Sequence, residues 1–324
     1  MKLLKKVLDK LSGLHYPREY LCITTETFEQ PLHAYLCDRR RIIKDITDHH
    51  SFVGYAPLVF AFPDSVFDSS ATAGITIAFT QKAFLPNGIL RSKDAIAWLH
   101  LKEIKDQPYL HTPVHLFEGN KGKHRFISFF HQFFLSLKNK LFQNKPGNVF
   151  LRGNLYKQVQ IAYSLPRNIS LITAGNNKLF NLFPTDLHGP LDDLYYVISL
   201  RHEGKACRQV MDSKKILLTQ VDSSFYKTVY SLGKNHMQDM QPKEQYPFSE
   251  NLSAKLELPV PQKALFYREL VLEHTFIYGI HCIMTFKILY QQRIQENPAT
   301  LAHIHNTYAT WRYNQRLPGN YLLR

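Results

Sequence analysis

Residues Asn181–Val210 read NLFPTDLHGPLDDLYYVISLRHEGKACRQV. The segment opens with backbone-bending and hydrogen-bonding residues: Asn181, Pro184, Thr185, Asp186, His188, Gly189 and Pro190. Pro and Gly set the chain direction there, and Asp and Thr can bond nearby backbone amides. The apolar run Leu194–Leu200 follows, of the length and β-branched, aromatic composition of a core strand. A basic turn containing one glycine closes it: Arg201, His202, Glu203, Gly204, Lys205. A polar loop, a buried strand and a cationic bend in this order can surround a flat, partly polar ligand with a phosphate tail.

Working outward, 170–174, 216–221, 252–258, 263–272 and 277–290 read as further strands, and 149–163 as a strand or hairpin. Residues 207–211 and 225–232 are short helical connectors. Many short strands with turn signals between them predict a barrel or sandwich. Toward the N-terminus, 1–12 reads as a helix, 54–62 and 73–79 as strands, and 92–105 as a helix capped by Ser92. A polar loop is expected at 118–124. A helix then carries Phe126, Phe129, Phe130, Phe133, Phe134, Leu137 and Leu141 on one stripe, packed on the core or on a dimer partner; its lysines also suit a membrane surface. Asn144-Lys-Pro-Gly147 ends that helix and marks the expected division between an α+β part, 1–147, and a mainly β part, 148–324. Asp48–Gly54 (DHHSFVG) echoes Glu273–Gly279 (EHTFIYG) with one residue of slippage, for which a chance match is the simpler reading.

The chain has 324 residues, 44% hydrophobic and 13% aromatic, enough for a sizeable core and better suited to two domains than one. No apolar run is long enough to cross a bilayer. The N-terminus reads as an amphipathic helix and not as a signal peptide, so a cytoplasmic protein is expected. Four scattered cysteines without a CxxC pair read as reduced thiols. The net charge of +14 is spread evenly: 20 basic and 13 acidic residues lie on each side of Phe150. Such a field concentrates anionic ligands, nucleotides and nucleic acid alike.

The sequence holds no GxSxG, HExxH, GxxxxGK[ST] or GxGxxG, and no catalytic residue is assigned from it. His49-His50 and the pair His303/His305 lack neighbours that would complete a coordination set, so no metal is expected.

From about Gly147 to Leu323 the chain resembles the flavin reductase-like family of FMN-binding split barrels. The resemblance rests on Asn168–Ala174 (NISLITA), the NLFPTDLHGP loop, the strand ending SLRHEGKACRQV, KKILLTQV, FYKTVYSLGKNH, Glu273–Gly279, and a tail with Tyr308 that ends LPGNYLL. It implies a split barrel, a homodimer with flavin near the subunit interface, FMN or FAD as cofactor and NAD(P)H as electron donor. By position it implies that Asn181, Thr185, Asp186 and His188 face the flavin ring, with Arg201, His202, Lys205 and Arg208 near the phosphate. Lys234 and Asn235 would form a second phosphate- or ring-facing group, and His274 would sit by the reactive side. The bulkier, more acidic loop with Phe183 and Asp186 departs from the family's Ser/Thr-rich one.

Three functions follow as alternatives. The first is a flavin-dependent oxidoreductase that moves hydride from NAD(P)H to flavin and on to an acceptor. The second is a flavin- or nucleotide-binding module without turnover. The third is a nucleic-acid-binding protein, against which the aromatic residues argue, because they lie on apolar stripes and are not interleaved with Lys and Arg.

Overall fold

The structure, a computed structural model, describes residues 2–318 apart from 26–27, 29–31, 68–73, 106–113, 143–148, 150, 177 and 297–298. The expected boundary at 144–147 and the closing residues 319–324 lie outside them. The chain is mainly β with α.

The first part opens with α1 (Lys2–Leu11) and β1 (Tyr20–Thr24). Seven strands follow: β2 (His33–Asp38), β3 (Arg41–Asp45), β4 (Ser51–Tyr55), β5 (Leu58–Pro63), β6 (Gly74–Thr80), β7 (Ala95–Glu103) and β8 (Val114–His124). They form one antiparallel sheet in the order β3-β2-β6-β7-β8-β5-β4. Next come α2 (Phe129–Phe142) and α3 (Asn154–Ala162).

The second part contains β9 (Arg167–Asn168), β10 (Ser170–Gly175), β11 (Leu179–Thr185), β12 (His188–Pro190), β13 (Tyr195–Arg201), α4 (Lys205–Ser213), β14 (Lys215–Val221) and α5 (Tyr226–Ser231). The short pieces β15 (Gln241–Pro242), β16 (Phe248–Leu252) and β17 (Pro259–Pro261) precede the long hairpin of β18 (Ala264–Tyr278) and β19 (His281–Arg293). The described chain ends with β20 (Leu301–His305) and α6 (Asn306–Asn314). The second sheet has the order β12-β13-β19-β18-β14-β10-β11-β15.

That sheet is open by hydrogen bonding, yet its two ends are tied covalently. Only Asp186 and Leu187 separate β11 near one edge from β12 at the other. A two-residue link spans at most about 10 Å, so the sheet must curl until its edges meet. Helix α4 confirms the curl by touching both β13 and the neighbours β14 and β10, which lie three and four places away from β13 in the order. Its Ala206, Cys207 and Val210 fill one buried cluster with Ile172, Ile198, Ile216, Leu270 and Met284. This is a split-barrel-like arrangement whose wall folds around one helix.

The two parts share packing. β1 pairs with β20, which pairs with β9. The core of the first sheet, which holds Val159 and Ile161 of α3, also takes Tyr308 and Trp311 from α6.

Several local expectations are corrected. The stretch 92–105 holds strand β7 and no helix, because Ala95, Ala97, Leu99 and Leu101 alternate inward against Ile96, Trp98, His100 and Lys102; the period is two, not 3.6. The loop expected at 118–124 is the end of β8. Its glycines permit close approach of α3, for a Cβ on Gly122 would meet Gln158 and Ile161 at 3.0–3.1 Å. Residues 154–162 are helical. There the apolar alternation misled, because the intervening Gln158 and Gln160 are buried too, Gln160 against His124 at 2.7 Å. Residues 253–258 turn where the Glu269 carboxylate takes the Lys255 and Leu256 amides. Helix α2 forms as expected, but it turns Leu135 and Asn139 inward, and Phe129, Phe130 and Phe133 are exposed.

Candidate functional site

The bend that joins the sheet edges opens a cavity. Pro184, Thr185, Asp186 and Leu187 form its floor, Ser199–Arg201 of β13 one wall, and Gly204, Ala206 and Cys207 of α4 another. His236 and Met237 from the 3-10 segment Leu232–Met237, together with Tyr55 and His281, complete a space of about 350 Å³. Two adjoining hollows of about 260 and 410 Å³ also reach Asp186, which stands where all three meet.

Asp186 is held from two sides. Its Oδ2 accepts from the Tyr163 hydroxyl at 3.0 Å and from His303 Nδ1 at 2.7 Å. With the proton on Nδ1, His303 Nε2 accepts from the Tyr230 hydroxyl at 2.6 Å. Burial pushes the Asp186 carboxyl up, but the hydrogen bonds from His303 and Tyr163 outweigh it and hold the group below the ordinary carboxylate range. Tyr163 moves the other way: burial first, then the Asp186 charge, hold its hydroxyl well above the usual range, so it remains a donor. The result is a partly buried anion with an ordered donor chain, Tyr230 to His303 to Asp186, that faces open space.

A second cluster borders the cavity. Arg201 Nε donates to the Tyr55 hydroxyl at 2.7 Å, with the guanidinium 5.7 Å from the ring centroid. The Tyr55 amide donates to His281 Nε2 at 3.3 Å, which leaves Nδ1 to donate to Ser199 Oγ at 3.1 Å. Burial, reinforced by Arg201 and His202, lowers the His281 pKa to about 4, so the ring is neutral at pH 7. His236 Nε2 donates to the Pro184 carbonyl at 2.8 Å and fixes the bend from the far side.

The nine-residue α4 points its N-terminus into the cavity. Gly204 caps it without a side-chain bond; the Cys207 and Arg208 amides donate to the Gly204 carbonyl, and the Lys205 and Ala206 amides remain to face an anion. Lys205 stands at the rim, paired with Asp239 at 2.6 Å and about half exposed.

Of the residues the sequence singles out, Thr185, Asp186 and Arg201 line the cavity, with Lys205 at its edge. Asn181 and Asn235 are buried ties behind it: Asn181 Nδ2 reaches Gln209 Oε1 and the Asn235 carbonyl, and Asn235 Nδ2 the Leu182 carbonyl at 2.8 Å. His188 faces away, between the Tyr196 hydroxyl at 2.8 Å and the Asn168 carbonyl at 3.0 Å. Arg208 and Lys234 are exposed, and His202 and His274 are half-buried off the lining. Tyr55, His281, His236, Tyr163, Tyr230 and His303 were not singled out as ligand-facing. His281 alone carried a local sign, because it follows the Tyr278–Ile280 turn that sets it opposite Arg201.

Among the described residues no group of three or more His, Cys, Asp or Glu could hold a metal ion, and no helix is long and apolar enough to cross a membrane.

No family model matches the chain, and no curated protein matches it. Among solved structures, it is similar to the NADH:FAD oxidoreductase SgcE6 of Streptomyces globisporus C-1027: 10% identity over 49% of this chain and 94% of that one, TM-score 0.41. It is similar to BorF, the flavin reductase component of a bacterial two-component tryptophan halogenase, with 13% identity over 47% and 94% and a TM-score of 0.40. It is also similar to the FMN-binding protein from Thermus thermophilus with bound 1-cyclohex-2-enone, with 14% identity over 40% and 71% and a TM-score of 0.35. All three bind or reduce flavin by name.

Proposed function

We propose that the cavity at the β11–β12 bend binds a flavin, FMN or FAD, and that the protein passes reducing equivalents from NAD(P)H through it to an acceptor. The observation that carries this reading is the convergence, in one cavity, of an uncapped helix N-terminus, Arg201 and a polar bend. The first amides of α4 and the Arg201 guanidinium suit a phosphate. The cavity and its adjoining hollows have the size of a cofactor site.

When bound, the flavin supplies hydride acceptance and electron transfer. The chain's part is positional and electrostatic. Arg201, held by Tyr55, presents positive charge without needing to reorganise. The neutral His281 adds polarity and no second charge. Tyr230, backed by His303 and Asp186, can hold a proton beside the adjoining hollow. In this reading 148–324 carry the flavin sheet, and 1–147 cover it through Tyr55.

The test is a titration of the purified chain with FMN and FAD by visible absorbance and fluorescence quenching, followed by steady-state oxidation of NADH and NADPH. Binding with turnover supports the proposal. Binding without turnover reduces it to a flavin-binding module, and no binding at micromolar concentration removes it.

A further inference from the structure

The two large sheets have the same topology. Numbered within each sheet by chain order, the strands of the first, β2 to β8, lie as 2-1-5-6-7-4-3. In the second, β10, β11, β12, β13, β14, β18 and β19 lie in that same order once the two-residue β15 is set aside. All six pairings are antiparallel in the first sheet. All six are antiparallel in the second. Seven strands can be ordered in thousands of ways, and connection rules alone leave several. In both sheets the link from the second strand to the third crosses between opposite edges: 46–50 from β3 to β4, and 186–187 from β11 to β12.

The two sheets also meet as copies related by a two-fold axis would. Val53, Val59, Ala61 and Leu116 of β4, β5 and β8 form one buried cluster with Leu191, Val197 and Ile283, which lie just after β12, on β13 and on β19. These are the same third, fourth and seventh strand positions, which makes the interface isologous. At its centre the two third strands touch: a Cβ on Gly189 would lie 1.9 Å from Ser51 Oγ. Asp48-His49-His50-Ser51 enters β4 as Asp186-Leu187-His188-Gly189 enters β12. The two matching histidines reach one dipeptide, His50 to Arg167 at 3.2 Å and His188 to Asn168 at 3.0 Å. The weak echo between 48–54 and 273–279 compares strands at different positions; the topology sets β4 against β12.

The copies differ at the ligand site. After its fourth strand the second sheet has Arg201, Gly204 and α4 before β14. The first has the 3-10 turn Asp64–Val66 after Pro63 and a link of ten residues, 64–73, before β6, where the link in the second has thirteen, 202–214. Tyr55, at the end of the third strand of the first copy, instead enters the cavity of the second.

We propose that the chain is a tandem duplication that builds, within one polypeptide, the two-fold pair of sheets a homodimer would otherwise supply. The first repeat has lost its own anion site and completes that of the second through Tyr55. The pairing stands on topology and packing alone; the count of one site rests on the flavin reading above.

Sedimentation equilibrium of the ligand-free full chain, at micromolar to tens of micromolar concentration, tests the pairing. A mass of 37.8 kDa is expected, and twice that mass overturns it. Val197→Asp, which places a charge in the shared cluster, should enlarge the Stokes radius with far-UV circular dichroism retained. A folded variant of unchanged radius contradicts the interface, and if the variant does not fold, the wild-type mass still decides. Calorimetric titration with FMN then counts sites. One per chain is expected, and two overturn the loss of the first site. No binding removes the flavin reading and leaves the mass result standing.

Discussion

Asp186 and His303, 117 residues apart, share a 2.7 Å hydrogen bond at the point where three hollows meet. The pair joins the bend between the sheet edges to β20, so one contact couples the geometry of the candidate site to the closing strand of the fold.

Asp186→Asn removes the charge that His303 and Tyr163 both address. Losing a charge-assisted, partly buried bond costs about 2–3 kcal/mol. At this chain length the melting temperature should fall by roughly 3–5 °C. Tyr230→Phe, which leaves the carboxylate pair intact, should cost about 1 kcal/mol or less. Thermal unfolding at pH 7 compares them; equal stability of Asp186→Asn and wild type would show that the carboxylate is not held as described.

Acid should destabilise the protein well above the carboxylate range. Burial, the leading cause in each case, lowers His50 from 6.5 to about 3 and His124, His188 and His281 to about 4. These groups bind protons more weakly folded than unfolded. Their neutral forms therefore favour the fold above pH 6.5, and that contribution is lost as pH falls through the folded values. Each costs up to about 1.4 kcal/mol per pH unit inside that window. Asp186, whose folded pKa lies below 3.8, adds a loss only at lower pH. Urea midpoints between pH 7 and 4 should fall steeply, and His124→Gln should flatten the slope; a flat wild-type profile to pH 4.5 would contradict the buried neutral rings.

Gly189→Ala forces a methyl against Ser51, whose Cβ would be 2.9 Å away. Overpacking there should cost about 1–3 kcal/mol. Ser51→Gly in the same chain should return most of it. Denaturant midpoints of the single and double variants decide; no rescue would mean that the two third strands do not meet at these residues.

The two cations should contribute unequally to ligand binding. Arg201 lines the cavity and is braced by Tyr55, so Arg201→Ala should weaken FMN binding by about tenfold or more. Lys205 is half-exposed and paired with Asp239, so Lys205→Ala should change it by about threefold or less. Quenching titrations at fixed ionic strength compare them.

The sheet that carries the site was legible where neighbouring residues decide structure. The runs 170–174, 194–200 and 216–221 are mostly apolar and bounded by polar or turn residues, and β10, β13 and β14 form over them. Thr185, Asp186 and Arg201 were found because the bend and the cationic turn lie next to those strands in sequence. Reading failed where burial and polarity part company, as at Gln158 and Gln160 in α3, and where a Ser followed by an acidic residue imitated a helix cap ahead of β7. The rest of the site comes from remote pairings. Tyr55 meets Arg201 across 146 residues, and His303 meets Asp186 only because β20 docks beside β9. No local pattern announces such contacts. The repeated topology was hidden for a related reason: the two copies share strand order and almost no residues.

The most direct measurement is a titration of the full-length chain with FMN, followed by flavin fluorescence and visible absorbance. Saturable quenching at micromolar concentration or below, weakened about tenfold or more by Arg201→Ala, is the predicted result. Unquenched fluorescence and an unshifted spectrum across that range would contradict the assignment of the β11–β12 cavity to a flavin.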